Sequence, residues 1–380
     1  MSARTPYYTD EHEQLREQVR RFVQREIAPY VEAWEEAAEF PRALYGKAAE
    51  MGLIGLGYPE ELGGTPCDAF HRIVVTDELA KPGSGGIVAG LMSHGIALPP
   101  IVALGSEELK RRVVIPVLRG EAIAALAISE PDGGSDVANL RTTARREGDH
   151  YVVNGSKTFI TSGMRADFCT VAVRTGGPGM AGISLLVIEG DCPGFTRTPL
   201  KKMGWWCSDT ATLYFEDCRV PVENLIGEEN SGFRGIMQNF NAERLAIASM
   251  AVAFSQVCLD EAIDWAKQRV TFGKPLVQRQ VIRHKLVDMA QRIESTRAWL
   301  ELLAWRVQQG QWPIAEVCML KNAATQCLEF CAKEGVQIFG GAGYMRGQKV
   351  ERIYRETKVL SIGGGAEEIM KELAAKQLGL

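Results

Sequence analysis

From position 9 to about 120, apolar residues recur at steps of three and four, the period of helices that bury one face. Leu15, Val19, Phe22, Val23 and Ile27 mark the first such face, and Thr9, followed by Glu11, His12 and Glu13, offers a capping-box start. Further helices are predicted over 41–51, 69–80, 86–103 and 107–118, punctuated by GYPEELGGTP and KPGSGG. Around Ala122 the texture changes to short apolar or alternating runs: AIAALAIS, TTARREGDHYVVNGSKTFITS, FCTVAVRT, GISLLVIEG and ATLYFEDCRV. These predict strands, with Asn154-Gly155 and the stretch 176–182 as turns between them. Helical periodicity returns after Gly232, over 231–269, 281–309, 314–339 and 366–377. The order predicts an α+β protein with helical layers at 1–121 and 233–380 flanking a β domain at 122–232.

The longest periodic run is 231–269. Phe233, Ile236, Met237, Phe240, Ile247, Ala251, Phe254 and Cys258 fall on one face, and so does Glu243, three residues after Phe240 and four before Ile247. An ionised carboxylate on a core-facing stripe costs several kcal/mol unless it is paired or protonated. Two readings follow: a salt bridge to Arg244 or a wet groove, and a general base in a dry cleft.

Composition narrows the field. A chain of 380 residues supports two or three structural units. With 46% hydrophobic and 24% charged residues and a net charge of −4, it lacks the basic excess of a nucleic-acid binder. The nine cysteines form no CxxC pair and read as reduced core thiols of a cytoplasmic-type compartment. The N-terminus shows no apolar targeting segment, and no membrane insertion is expected.

Several segments suit ligand contact, each with a plainer alternative. ISEPDGGSDV (128–137) places Ser129 and Ser135 hydroxyls and glycine backbone in a loop that is otherwise a turn. KTFITSG (157–163) offers a ring surface or simply a buried strand end. QRVTFGKPL (268–276) closes the long helix with Arg269, which suits a diphosphate or its own helix dipole. QIFGGAGYM (337–345) reads as an anion nest or a glycine C-cap. SIGGGAEEIMKEL (361–373) puts three glycines before a helix N-terminus.

In this order, and together with KKMGWWCSDTATLYFEDCRVPVENLIGEENSGF and ERLAIASM, these segments resemble the acyl-CoA dehydrogenase family over nearly the whole chain. The resemblance implies an N-terminal helical domain, a middle β-barrel or sandwich domain and a C-terminal four-helix bundle, assembled as a homotetramer. It implies FAD between the β domain and the bundle, with Leu126, Ile128, Ser129, Phe159, Ile160 and Thr161 around the isoalloxazine, where the family commonly has Trp instead of Phe159. Arg269, Thr271, Phe272 and Gln280, together with Gln337, Ile338, Phe339, Gly340 and Gly341, match the segments that hold the rest of the cofactor, as do Ala366 and Glu368. For the acyl-CoA substrate it implies Ser135, Met92, Asn241, Arg244, Gly363 and Gly365.

Dehydrogenation removes an α-proton, which requires a base, and a β-hydride, which goes to the flavin. Most of the family carries the base as Glu in a Tyr-Glu-Gly-Thr run, where this chain reads Gly363, Gly364, Gly365 and Ala366. Members resembling long-chain and isovaleryl-CoA dehydrogenases place it before an arginine on the long helix, as in Glu243-Arg244. The resemblance therefore makes Glu243 the base and Gly364 N–H the amide at the thioester carbonyl. It implies a medium-, long-chain or 3-methyl-branched acyl group, of the isovaleryl or citronellyl kind, and an electron-transfer flavoprotein as acceptor. An acyl-CoA oxidase, a flavin monooxygenase or a non-catalytic CoA-binding paralogue are the alternatives on the same fold.

Overall fold

The computed structural model describes residues 6–380, with the side chains of Gln238, Asn239 and Asn241 outside that description. The first part is helical: α1 (Asp10–Glu26), α2 (Val31–Ala37), α3 (Ala43–Glu50), α4 (Ala69–Ala80), α5 (Gly85–Leu91), α6 (His94–Ala97), α7 (Pro99–Leu104) and α8 (Glu107–Leu118). The single helix expected over 86–103 is thus three pieces. Pro99 and Pro100 have no N–H with which to continue a preceding helix, and at the earlier break Ser93 Oγ donates to Ala124 O at 3.2 Å.

The starts of α1 and α4 share one carboxylate. His12 Nδ1 accepts the Thr9 amide at 3.0 Å, which leaves the ring proton on Nε2 to be donated to Asp68 at 3.0 Å. Asp68 is also the N-cap of α4, accepting the Phe70 and His71 amides at 2.8 and 3.0 Å.

The middle of the chain forms a seven-stranded sheet: β1 (Ala124–Ala127), β2 (Thr143–Glu147), β3 (His150–Thr161), β4 (Phe168–Arg174), β5 (Ile183–Glu189), β6 (Phe195–Pro199) and β7 (Thr210–Pro221). The order is β1-β4-β2-β3-β7-β6, with β5 on β4. Its core includes Tyr151, Val153, Val171, Leu186, Ile188, Leu213 and Val220. Asn154-Gly155, expected to be a turn, lies inside β3, and the chain reverses instead at 148–149, since Glu147 pairs with His150. Gly155 (φ 141°) sits in a bulge against β7, where a Cβ would come within 2.7 Å of Thr142 Cα. Asn154 is held there by Asp217, which its Nδ2 meets at 2.9 Å.

The C-terminal part holds α9 (Gly232–Gln268), the hairpin β8 (Val270–Thr271) and β9 (Lys274–Pro275), α10 (Gln280–Gln308), α11 (Ile314–Phe339), α12 (Lys349–Ile362) and α13 (Glu367–Leu378). α12 was not legible from periodicity because its inner face mixes Val350, Ile353 and Leu360 with Arg352 and Glu356, all buried. Glu356 accepts the Gly85 amide at 2.8 Å. By length and composition α9 is apolar enough to cross a membrane, although 67% of its most apolar stretch is buried inside the protein, as in a core helix. By internal contact the chain falls into two compact units, residues 1–33, 68–88 and 241–380, and residues 34–67 and 89–240. In the first, α11 packs against α10, α12 and α13, and α1 against α4.

Burial of Asp68 raises its pKa, but the bonds from His12 and His71 outweigh this and hold it at about 2. A depressed carboxylate contributes stability that is present above its unfolded value and lost as pH falls through the folded one. Asp68→Ala should therefore lower stability by about 1–2 kcal/mol at pH 7. The gap should close as pH drops from about 4 toward 2, read from denaturation midpoints of both proteins across that range.

Candidate active site

On α9, Ile236, Ala251, Phe254 and Cys258 are all buried, so the predicted stripe does face a core. Glu243 on that stripe is half-buried, and its Oε2 is fully covered without a hydrogen-bond partner. Among the described residues it forms no ion pair, and Arg244 Nε turns instead to Gly364 O at 3.4 Å. The salt-bridge reading therefore does not hold. Burial pushes the Glu243 carboxyl up to about 7, against the opposing pull of Arg244 and Lys321.

The glycines between α12 and α13 meet this carboxylate. Gly364 (φ 65°) and Gly365 (φ 104°) take backbone conformations that favour glycine. A Cβ on Gly364 would lie 3.7 Å from Glu243 Oε1 and 3.8 Å from its Cδ, although only 2.5 Å from Ile247 Cδ1. A side chain at 364 would therefore lie beside the Glu243 carboxyl and would overlap Ile247. Gly363 lies in the same half-buried loop; Ala366 is the N-cap residue of α13, and Glu368 is exposed in its first turn. Asn241 lies outside the described side chains, while Arg244 is buried.

Lys321 was not picked out from the sequence. It is fully buried, and its Nζ donates to Ser361 O at 3.1 Å and Gly365 O at 2.7 Å. Burial lowers its pKa to about 8 while Glu243 opposes that shift. The signal was present: a lysine inside the apolar run VCMLKNAATQC is as much off-pattern as Glu243.

In the second unit, β3 turns a ring outward. A register shift between Lys157 and Ile160, with Phe159 at φ 62°, leaves the Phe159 side chain 71% exposed while Ile160 stays buried. Thr161, Leu126 and Ser129 are half-buried, Ile128 is buried, Ser135 is exposed in its loop, and Met92 is partly covered. Ser129 O accepts the Thr158 amide at 2.9 Å. The buried Lys157 Nζ donates to Ile128 O at 3.0 Å and Glu130 Oε1 at 2.8 Å. Glu130 in turn accepts the Arg141 and Thr142 amides at 2.6 and 2.8 Å. Lys157 and Glu130, also unremarked in the sequence, pin the 128–137 loop to β3.

Beyond α9, Arg269 is exposed, and its guanidinium has no partner among the described residues. The hairpin after it turns on Phe272 (φ 50°) and Gly273 (φ 72°), leaving Phe272 97% exposed. Thr271 O accepts from Arg279 at 2.9 Å, and Gln280, exposed, opens α10. At the end of α11, Ile338 and Phe339 are buried, with Phe339 stacked on Trp265 at 4.6 Å. Gln337 and Gly341 are exposed. Gly340 (φ 62°) is the C-cap, and its amide bonds back to the helix.

An outward-turned aromatic such as Phe159 suits a planar ring, and an exposed guanidinium such as Arg269 suits a diphosphate. Family models for the N-terminal, middle and C-terminal domains of acyl-CoA dehydrogenase match residues 9–121, 125–218 and 230–379. The mitochondrial long-chain specific acyl-CoA dehydrogenase of Sus scrofa is 37% identical over 98% of this chain and 87% of its own. A Mycobacterium smegmatis protein solved as an acyl-CoA dehydrogenase superposes with a TM-score of 0.97 at 49% identity, covering 99% of both chains. A glutaryl-CoA dehydrogenase of the same organism, solved in complex with FADH2, superposes at 0.91 with 25% identity over 98% and 95% of the two chains. The family models and the fold define a flavin-dependent oxidoreductase. The chain belongs to the acyl-CoA dehydrogenase family, whose cofactor is FAD.

A carboxyl whose folded pKa is raised leaves stability intact below the unfolded value of 4.5 and removes it as pH rises toward 7. Glu243→Gln should thus be more stable than the wild type at pH 8, by on the order of 2–3 kcal/mol, and of equal stability near pH 4.5. Denaturation of the two FAD-loaded proteins at both pH values checks this.

Proposed function

We propose that this enzyme dehydrogenates an acyl-CoA thioester to the trans-2-enoyl-CoA, with Glu243 as the α-proton base. The observation that carries the proposal is a carboxyl with one oxygen fully covered and without a hydrogen-bond partner, pushed up to about 7 and beside the glycine at 364. Such a group accepts a proton at working pH without first breaking an ion pair. Gly364 N–H makes no hydrogen bond among the described residues and is the donor assigned to the thioester carbonyl, where enolate charge develops. FAD, when bound, supplies the acceptor for the β-hydride. Phe159, Thr161, Leu126, Ile128, Ser129 and Ile160 are assigned to its ring, and Arg269, Thr271, Phe272, Gln280 and 337–341 to its diphosphate and adenosine parts.

The missing side chain at 364 supports a long or 3-methyl-branched acyl group, as does the long-chain relative. An electron-transfer flavoprotein is the proposed acceptor. A neighbour of like fold, 33% identical, comes from work on the electron-transferring flavoprotein of Acidaminococcus fermentans. A homotetramer is proposed from the exposed Val270, Phe272, Val281 and Tyr344 of the first unit, and a cytoplasmic setting from nine free thiols. The three-part division at 121/122 and 232/233 is kept as the domain proposal.

Glu243→Gln should keep FAD and slow anaerobic flavin reduction by acyl-CoA by roughly 10² to 10⁴. Moving the carboxylate, in Glu243→Gly with Gly364→Glu and Ile247→Ala to clear the 2.5 Å contact, should restore part of the rate, least for branched substrates. Near-normal reduction in Glu243→Gln would reject the assignment. Separately, Arg269→Ala should weaken FAD retention by about 1.5–3 kcal/mol, measured by flavin titration of the apoprotein.

A further inference from the structure

The geometry points to Lys321 as a positioning residue for proton abstraction: one buried ammonium clamps the 361–365 loop onto α11 and supplies the positive field that holds Glu243 ready to ionise. The inference rests on the base assignment of Glu243. Lys321 is fully buried, yet it forms no salt bridge among the described residues. Its hydrogen-bond acceptors are two carbonyls, Ser361 O at the end of α12 and Gly365 O in the loop. The neighbouring Asn322 Nδ2 donates to Glu367 O at 3.0 Å, and Arg244 Nε reaches Gly364 O. Side-chain donors thus take the carbonyls of Ser361, Gly364, Gly365 and Glu367, and although the Gly363 amide bonds back to Val359 O, the Gly364 amide has no hydrogen bond among the described residues.

A buried ammonium without a counter-ion bonded to it is costly, and two neutral carbonyls can be served by neutral donors. The charge therefore calls for an electrostatic role. The charged and titratable groups acting on Lys321 are Glu243 and Arg244 from α9, Cys318 from α11 and Glu367 from α13. Glu367 is already bonded to Lys371 and Gln326, which leaves Glu243 as the carboxylate that Lys321 serves. Lys321 and Arg244 both favour the ionised form of Glu243 against burial. Without them the base would stay protonated at working pH.

The test uses FAD-loaded Lys321→Met, Lys321→Gln, which keeps a donor but no charge, and Lys321→Arg, which keeps the charge. Two readouts are followed across pH 6–10: anaerobic flavin reduction by acyl-CoA, and the pH window in which adding Glu243→Gln raises the denaturation midpoint. In Lys321→Met and Lys321→Gln the pH profile of reduction and the upper edge of the stability window, where the gain from Glu243→Gln levels off, should both move upward by roughly one pH unit or more, so that reduction at pH 7 falls about tenfold and recovers in alkali. Lys321→Arg should stay near the wild type. An unmoved window in Lys321→Gln, or an equal shift in Lys321→Arg, overturns the inference, and the Gln–Arg comparison suffices if the Met variant does not fold. Normal flavin reduction in Glu243→Gln alone would instead overturn the base assignment, with the stability window still reporting whether Lys321 governs Glu243.

Discussion

A carboxylate removed from water without a hydrogen-bond partner is unstable, and the helical unit is organised around tolerating one. Glu243 sits on the face of α9 that otherwise carries Ile236, Ala251 and Phe254. Its charge is opposed by burial and favoured by Arg244 and Lys321, each of which hydrogen-bonds a carbonyl of the glycine loop. A bonded ion pair would be cheaper in free energy and chemically inert, because a proton arriving at Glu243 would have to displace a cation first. The arrangement keeps attraction at a distance, where it tunes ionisation without occupying the oxygens.

The sheet unit shows the same separation of support from presentation. Lys157 and Glu130 are buried, saturated and turned inward. Their work is to fix the strand end and loop from which Phe159, Ser129 and Ser135 are displayed. The left-handed backbone at Phe159 and Ser162 is a local cost of about 1–3 kcal/mol per residue, sustained by the paired strand around it. A regular strand would have placed the residue-159 ring on the face opposite its present one.

Much of this was legible in the chain. The three textures were visible as changes of hydrophobic period, and Glu243 announced itself as a charge on an apolar stripe. What escaped notice has a common cause. Asn154-Gly155 resembles a hairpin turn because the same left-handed tolerance serves a bulge, and only pairing with β7 tells them apart. α12 was missed because Arg352 and Glu356 are buried through partners remote in sequence, Gly83 and Gly85. Lys321 escaped because its acceptors are backbone carbonyls forty or more residues away, which no spacing rule encodes. The ligand roles proposed for Arg269, Phe159 and Ser135 rest on family resemblance, since their residue types and exposure alone fit several purposes.

The division of the chain into interleaved segments bears on how the protein is made. Residues 1–33 and 68–88 belong to the same compact unit as residues 241–380, so the amino-terminal helices emerge from the ribosome long before their packing partners exist. Asp68, bridging the starts of α1 and α4, ties together the one part of that unit whose two halves are synthesised early. Until α10 follows and packs against α4, the apolar faces of this helix pair lack a partner, and such surfaces are what chaperones retain. Sequence changes near residue 68 would then be felt first as lower yield of folded enzyme, before any change in turnover.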